Sequence, residues 1–118
     1  MRSNPVHEFT DDPEGLYLSV VQNIPPFSPD EEIRCLQHIG DGDEHAEPAR
    51  KRLLEANLHS VVPIARRYCN ESLHFLDLIV KGNEGLMCAT YAFGDGRENG
   101  FPAYAAVCVE RAIEDSLR

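Results

Sequence analysis

The 118 residues carry 42% hydrophobic and 26% charged side chains, enough for one modest core and too few for two, which excludes a multidomain enzyme. The formal charge of −9 at pH 7 argues against a free-standing nucleic-acid binder, because phosphate recognition relies on a basic face that releases counterions. No apolar run approaches the roughly eighteen residues of a membrane span and the N-terminal residues lack the pattern of a secretory leader, so a cytoplasmic protein without a membrane partner is expected.

Residues 1–12 are polar and aperiodic and are expected to form a flexible acidic tail ahead of one helical domain over residues 13–118. The acidic excess is uneven: residues 1–47 hold 11 acids and 2 bases, whereas residues 48–118 hold 9 of each. Asp12 before Pro13 is a favourable N-cap and first-turn pair, and Leu16, Val20 and Val21 share one face of a short helix that Pro25-Pro26 ends. Ser28, Pro29 and Glu31 have the spacing of a capping box, which starts a helix over residues 29–39 with Ile33, Leu36 and Ile39 turned inward. Gly40-Asp41-Gly42-Asp43 closes it.

From about Pro48 to Cys69, the positions Leu54, Leu58, Val61, Ala65 and Tyr68 recur at helical spacing, and Pro63 predicts a kink or break within that helix. Asn70 can end it and Ser72 can cap the next. There Phe75, Ile79, Gly82, Leu86, Ala89 and Phe93 form a second core seam. Residues 94–100 read as a plain loop, without the Lys-Ser/Thr of a phosphate cradle. A last helix starts near Pro102 and buries Val109, Ala112 and Ile113. No strand signal is present, so the predicted fold is an all-α compact bundle of four to five helices.

Catalytic and metal chemistry find no support. Cys35, Cys69, Cys88 and Cys108 are too far apart for a metal knuckle, and Cys35-x-x-His38 lacks a second ligand pair. His7, His38, His45, His59 and His74 show no readable nucleophile and acid partners. The chain is expected not to be an enzyme and to need no cofactor or metal.

The motifs Leu54-Glu-Ala-Asn-Leu58, Ala65-Arg-Arg-Tyr68, Phe75-Leu-Asp-Leu-Ile79, Gly82-Asn83 and Gly85-Leu-Met87 resemble, in order and spacing, region 2 of the bacterial sigma-70 family. Phe101-Pro-Ala-Tyr104-Ala and Arg111-Ala-Ile113 extend that resemblance. Upstream, Asp12-Pro13, Leu16-Tyr17-Leu18 and Pro29-Asp-Glu-Glu-Ile33 are similar to region 1.2. The resemblance implies a sigma-like transcription-initiation module that docks on RNA polymerase core, at the clamp coiled coil of the largest subunit, and helps open promoter DNA at the −10 element. The positions matching the family's docking motif are Asp77, Asn83 and Met87. Spacing adds a stripe of Asp77, Val80, Lys81, Glu84, Met87 and Cys88 on the helix flank opposite the core seam. The expected polymerase-binding set is therefore Asp77, Val80, Lys81, Asn83, Glu84 and Met87.

For DNA, the resemblance implies Phe101, Tyr104, Arg111, Arg66 and Arg67. Arg66 and Arg67 also lie where a helix C-terminus favours positive charge, and Phe101 and Tyr104 can equally be core aromatics. This chain departs from the family pattern at several points. Val80 and Lys81 replace a Gln-Glu pair, Val107-Cys108 replace two tryptophans, and Glu110 replaces a base, with Glu114 and Asp115 one turn on. Carboxylates repel phosphates and lost aromatics cannot stack on bases, so weak promoter engagement is expected. The alternative is a sigma mimic that binds polymerase or an anti-sigma protein without reading DNA. Nothing before Arg118 matches the family's regions 3 and 4, so recognition of the −35 element is not expected of this segment.

Overall fold

The structure, a computed structural model, describes residues 12–93 and 100–118. The expected tail, apart from Asp12, and the expected loop over 94–100, apart from Gly100, lie outside the described residues. Among the described residues five helices follow in order: α1 (Pro13–Gln22), α2 (Pro29–Asp41), α3 (Ala46–Tyr68), α4 (Phe75–Ala92) and α5 (Phe101–Ser116). No strand occurs among the described residues, and the all-α expectation holds.

Local chemistry sets the first two starts. Asp12 Oδ1 accepts from the Gly15 amide at 2.9 Å, and Ser28 Oγ accepts from the Glu31 amide at 3.1 Å, each satisfying an otherwise orphaned donor. Glu31 does more than a capping residue does. Its carboxylate is gripped by Arg52 of α3, Nε to Oε2 at 2.7 Å and Nη2 to Oε1 at 3.1 Å. Arg52 Nη2 also donates to the Pro25 and Pro26 carbonyls at 3.3 Å, and its guanidinium lies 4.8 Å above the Phe27 ring. One side chain thereby ties α2 and the α1–α2 linker to α3, and the Arg52 hydrogen bond holds the Glu31 carboxyl below its usual range. Gly42, in the left-handed conformation at φ 63°, closes α2, and its amide donates to the His38 carbonyl at 3.0 Å.

Three readings of α3 need correction. It starts at Ala46, ahead of Pro48, and runs unbroken through Pro63. The expected break is absent because Pro63 lies on the exposed face, so water can satisfy the His59 carbonyl that proline leaves without a donor. The buried seam is also rotated. It consists of Ala46, Ala49, Leu53, Ala56, Asn57, Val61, Ile64 and Ala65, while Leu54, Leu58 and Tyr68 are half-buried on its flank. Four alanines on the buried line let neighbouring helices approach closely. Buried Asn57 is satisfied locally, its Nδ2 donating to the Leu53 carbonyl at 2.8 Å.

The start of α4 differs too. Ser72 is not its cap: the N-cap is His74, without a side-chain bond, and the Ser72 and Leu73 amides donate instead to Asn70 Oδ1 at 2.8 and 3.0 Å. The α4 seam is as expected, with Phe75, Ile79, Leu86, Ala89 and Phe93 all buried. Helix α4 is held between α3 and α5, and two glycines make this possible. A Cβ at Gly85 would lie 2.5 Å from the Cys108 carbonyl oxygen of α5, and one at Gly82 would lie 2.6 Å from Val61 Cγ1 of α3. Helix α5 buries Phe101, Ala105, Val109 and Ile113; Ala112, expected inside, is half-buried.

The first two helices are less committed to the core than their patterns suggest. Leu16, Val20 and Ile33 are exposed, and the buried side chains are Val21 and Cys35. Helix α1 has its main contact with α3, and α2 likewise, so each buries a narrow line rather than a full face.

Candidate functional site

Helix α4 has two opposed faces. One contributes Phe75, Leu78, Ile79, Gly82, Gly85, Leu86, Ala89 and Thr90 to the interior. The other presents Asp77, Val80, Lys81, Glu84, Met87 and Cys88, all exposed. Val80 and Met87 retain 55% and 50% of their surface, unusual for large apolar side chains lying in one row. Lys81 Nζ and Glu84 Oε1 are 3.8 Å apart, a loose contact between solvated groups. Asp77 sits in the first turn, where the helix dipole favours a carboxylate.

Asn83 stands apart from the other five residues of the expected docking set. It is half-buried, and its Nδ2 donates to Tyr17 Oη of α1 at 3.3 Å. Its Oδ1 is buried without a hydrogen-bond partner. Asn83 therefore lies at the edge of the open face, under α1.

Tyr91 is the residue that the sequence analysis missed. It extends the row Val80, Glu84, Met87 by one further turn, at spacings of four, three and four, and is 59% exposed. Following the stripe past Cys88 would have found it. Its Oη donates to Glu47 Oε1 at 3.1 Å, and the Arg50 guanidinium lies 4.3 Å from its ring centroid while also pairing with Glu47. The Glu47 hydrogen bond pushes the Tyr91 phenol above its ordinary pKa.

The end of the bundle formed by α3 and α5 holds the residues that the resemblance assigns to DNA. Phe101 is fully buried, edge-on to Phe93 with centroids 5.2 Å apart. Of the two readings of Phe101, this burial fits the core aromatic, since neither ring face is open. Tyr104 is half-buried, 5.5 Å from the Phe93 ring. Arg66 is exposed and its guanidinium lies 4.5 Å from the Phe75 ring centroid, a cation–π contact. Arg67 pairs with Glu110, and Tyr68 Oη donates to Glu114 Oε2 at 2.7 Å, which raises the Tyr68 pKa. Arg111 is exposed, and Val107, in place of an aromatic, is 47% exposed. Arg66 and Arg67 also occupy the last turn of α3, so the dipole reading fits their position as well.

Among the described residues no group of three or more His, Cys, Asp or Glu side chains could hold a metal ion. Cys35 is buried, which raises its thiol pKa, and His38 Nδ1 is turned to Asp43 Oδ2 at 2.9 Å. No described helix is long and apolar enough to cross a membrane.

Known proteins resemble this chain over most of its length. The model of the family described as sigma-70 region 2 matches residues 53–118. Over 107 residues, 91% of this chain, the sequence is 44% identical to the RNA polymerase sigma factor SigA of Clostridium acetobutylicum, covering 28% of that protein. It is 43% identical over 107 residues to SigA of Lactococcus lactis subsp. cremoris, covering 91% of this chain and 29% of that one. With the RNA polymerase sigma factor RpoS of Coxiella burnetii it shares 39% identity over 106 residues, 90% of this chain and 29% of the relative. The chain spans under a third of the length of these curated relatives.

Proposed function

The chain belongs to the sigma-70 region 2 family, and from that premise we propose that it is a transcription-initiation module that docks on RNA polymerase core, at the clamp coiled coil of the largest subunit. Catalysis has no part in this reading. The observation that carries it is the two-sided character of α4. Its inner face is fully committed to α3 and α5, while Asp77, Val80, Lys81, Glu84 and Met87 stand in solvent. Val80 and Met87 supply apolar area to bury, and the flanking charges set register and orientation, the usual division of labour at a protein interface. A coiled coil is a suitable occupant because its own side-chain ridges run parallel to such a row.

In the same reading, engagement of the −10 element is weak. Phe101 is buried, Arg67 is paired with Glu110, and Tyr68 is bonded to Glu114. Incoming bases meet few open aromatic faces, and incoming phosphates meet fixed carboxylates.

Retention on immobilised core polymerase tests the docking claim. The wild-type chain is expected to be retained, and Asp77→Arg to reduce retention about tenfold by reversing an interfacial charge. Equal retention of the two, or none of either, sinks it. Fluorescence anisotropy with single-stranded −10 DNA tests the second claim: tight, sequence-dependent capture by the isolated chain would contradict weak engagement, whereas no detectable binding at any salt would leave a polymerase-binding module that does not read DNA.

A further inference from the structure

Tyr91 is exposed and yet immobilised. Its ring lies on Arg50 at 4.3 Å, its hydroxyl is tied to Glu47 at 3.1 Å, and Arg50 joins Glu47 as well. Glu47 and Arg50 stand in the opening turns of α3 and Tyr91 in the last turn of α4. The result is a tyrosine with one face backed by a guanidinium and the other left open, at 59% exposure. Arg50 is itself largely covered, with 19% of its side chain accessible and its Nε buried without a hydrogen-bond partner. A cation held that deeply beneath an exposed ring is a support for the ring rather than a solvated charge. Tyrosine contributes large contact area with few rotatable bonds, and a ring already fixed loses little entropy on binding, which is why such residues dominate interface energetics.

We propose that Tyr91 is the anchor of the docking face, seated at the α3-proximal end of the row Val80, Glu84, Met87, Tyr91, and that Glu47 and Arg50 are its positioning residues. The inference rests on the docking reading above and extends it onto a second helix. From Val80 to Tyr91 the row runs eleven helical steps along α4, about 16 Å at the helical rise. It fits a partner helix that lays apolar side chains over Val80, Met87 and the open face of Tyr91, with a basic side chain opposite Glu84.

The test measures affinity of the full chain for RNA polymerase core, well below the melting temperature, alongside thermal unfolding. Tyr91→Ala is expected to weaken binding about tenfold or more, with the melting temperature shifted by only a few degrees. Arg50→Met, which removes the support without touching the open face, is expected to weaken binding about threefold. Tyr91→Phe keeps the ring and is expected to fall between wild type and Arg50→Met. If Tyr91→Ala lowers the melting temperature but binds like wild type, the ring is a staple between α3 and α4 and the proposal is overturned. Should Met87→Asp abolish binding while Tyr91→Ala does not change it, the anchor fails and the docking reading survives. Absence of binding by the wild-type chain removes both.

Discussion

On the outer face of α4 the charged groups stand in solvent with one loose contact, Lys81 to Glu84 at 3.8 Å. At the α3–α5 end Arg67 is already engaged by Glu110, and Tyr68 by Glu114 at 2.7 Å. The charged side chains of the two surfaces differ in whether the chain supplies their partners, and on the α4 face it is Tyr91, at the end of the row, that is held from α3. A protein arriving at α4 gains contacts without displacing any, apart from water. A polyanion arriving at Arg67 must first displace a carboxylate that is tethered nearby and therefore always returns. The strength of that exposed ion pair is modest; the local charge it cancels is what a phosphate would need.

Both surfaces rest on the close packing of α4 against its neighbours, and the largest expected effect comes from removing it. Gly85→Val would drive a side chain into the Cys108 carbonyl, 2.5 Å from the position of a Cβ. Backbone cannot yield as a flexible side chain can, so a loss of about 3 kcal/mol or more is expected. Thermal unfolding by circular dichroism should show the transition lowered by tens of degrees or absent, and an unchanged melting curve would falsify the close-packing argument.

Met87→Asp attacks the open surface alone. Because Met87 is half exposed, the fold should tolerate the change within about 0.5 kcal/mol. Placing a carboxylate in the middle of an apolar contact should weaken core-polymerase binding by about 2 kcal/mol, roughly thirtyfold. A titration showing unaltered affinity would mean that this face is not used.

Glu110→Gln with Glu114→Gln opens the engaged surface. Affinity for a single-stranded oligonucleotide, read by anisotropy at low salt, should rise several-fold. The gain should fade as ionic strength passes about 0.2 M, because it is a phosphate effect. No gain at any salt would show that the carboxylates do not screen this end.

The smallest effect is on acid stability. Hydrogen bonding by Arg52 lowers the Glu31 pKa, and hydrogen bonding by His38 lowers that of Asp43. A depressed folded-state value means stability that is present above the ordinary carboxylate range and is lost as pH falls through the depressed one. Urea unfolding should therefore weaken below about pH 4, and Glu31→Gln should flatten that acid limb. Identical acid limbs in the two proteins would remove Glu31 from the account.

Much of this architecture was legible in the linear pattern. The α4 seam was readable because its apolar residues are frequent and strictly periodic, and its outer stripe followed by subtraction. Asp12 and Ser28 announced helix starts because capping is a contact between residues three apart. Where apolar residues were abundant on more than one flank, as in α3, the pattern could not choose: Leu53 and Leu54 are adjacent, and packing selected Leu53, fully buried, over its neighbour. Ile33 and Val20 failed for the related reason that α1 and α2 each meet chiefly one neighbour, leaving apolar positions with nothing to pack on.

The sequence by itself determined an all-α bundle of four to five helices, their order, most of their ends and the two-faced character of α4, because periodicity and capping act over three to seven residues. Tertiary structure alone decided that Phe101 belongs to the core, that Asn83 answers to Tyr17, and that Arg67 and Tyr91 find acids on other helices, 43 and 44 residues away along the chain. Those pairings depend on how helices are stacked in space, and no local spacing rule encodes a distance that only folding creates.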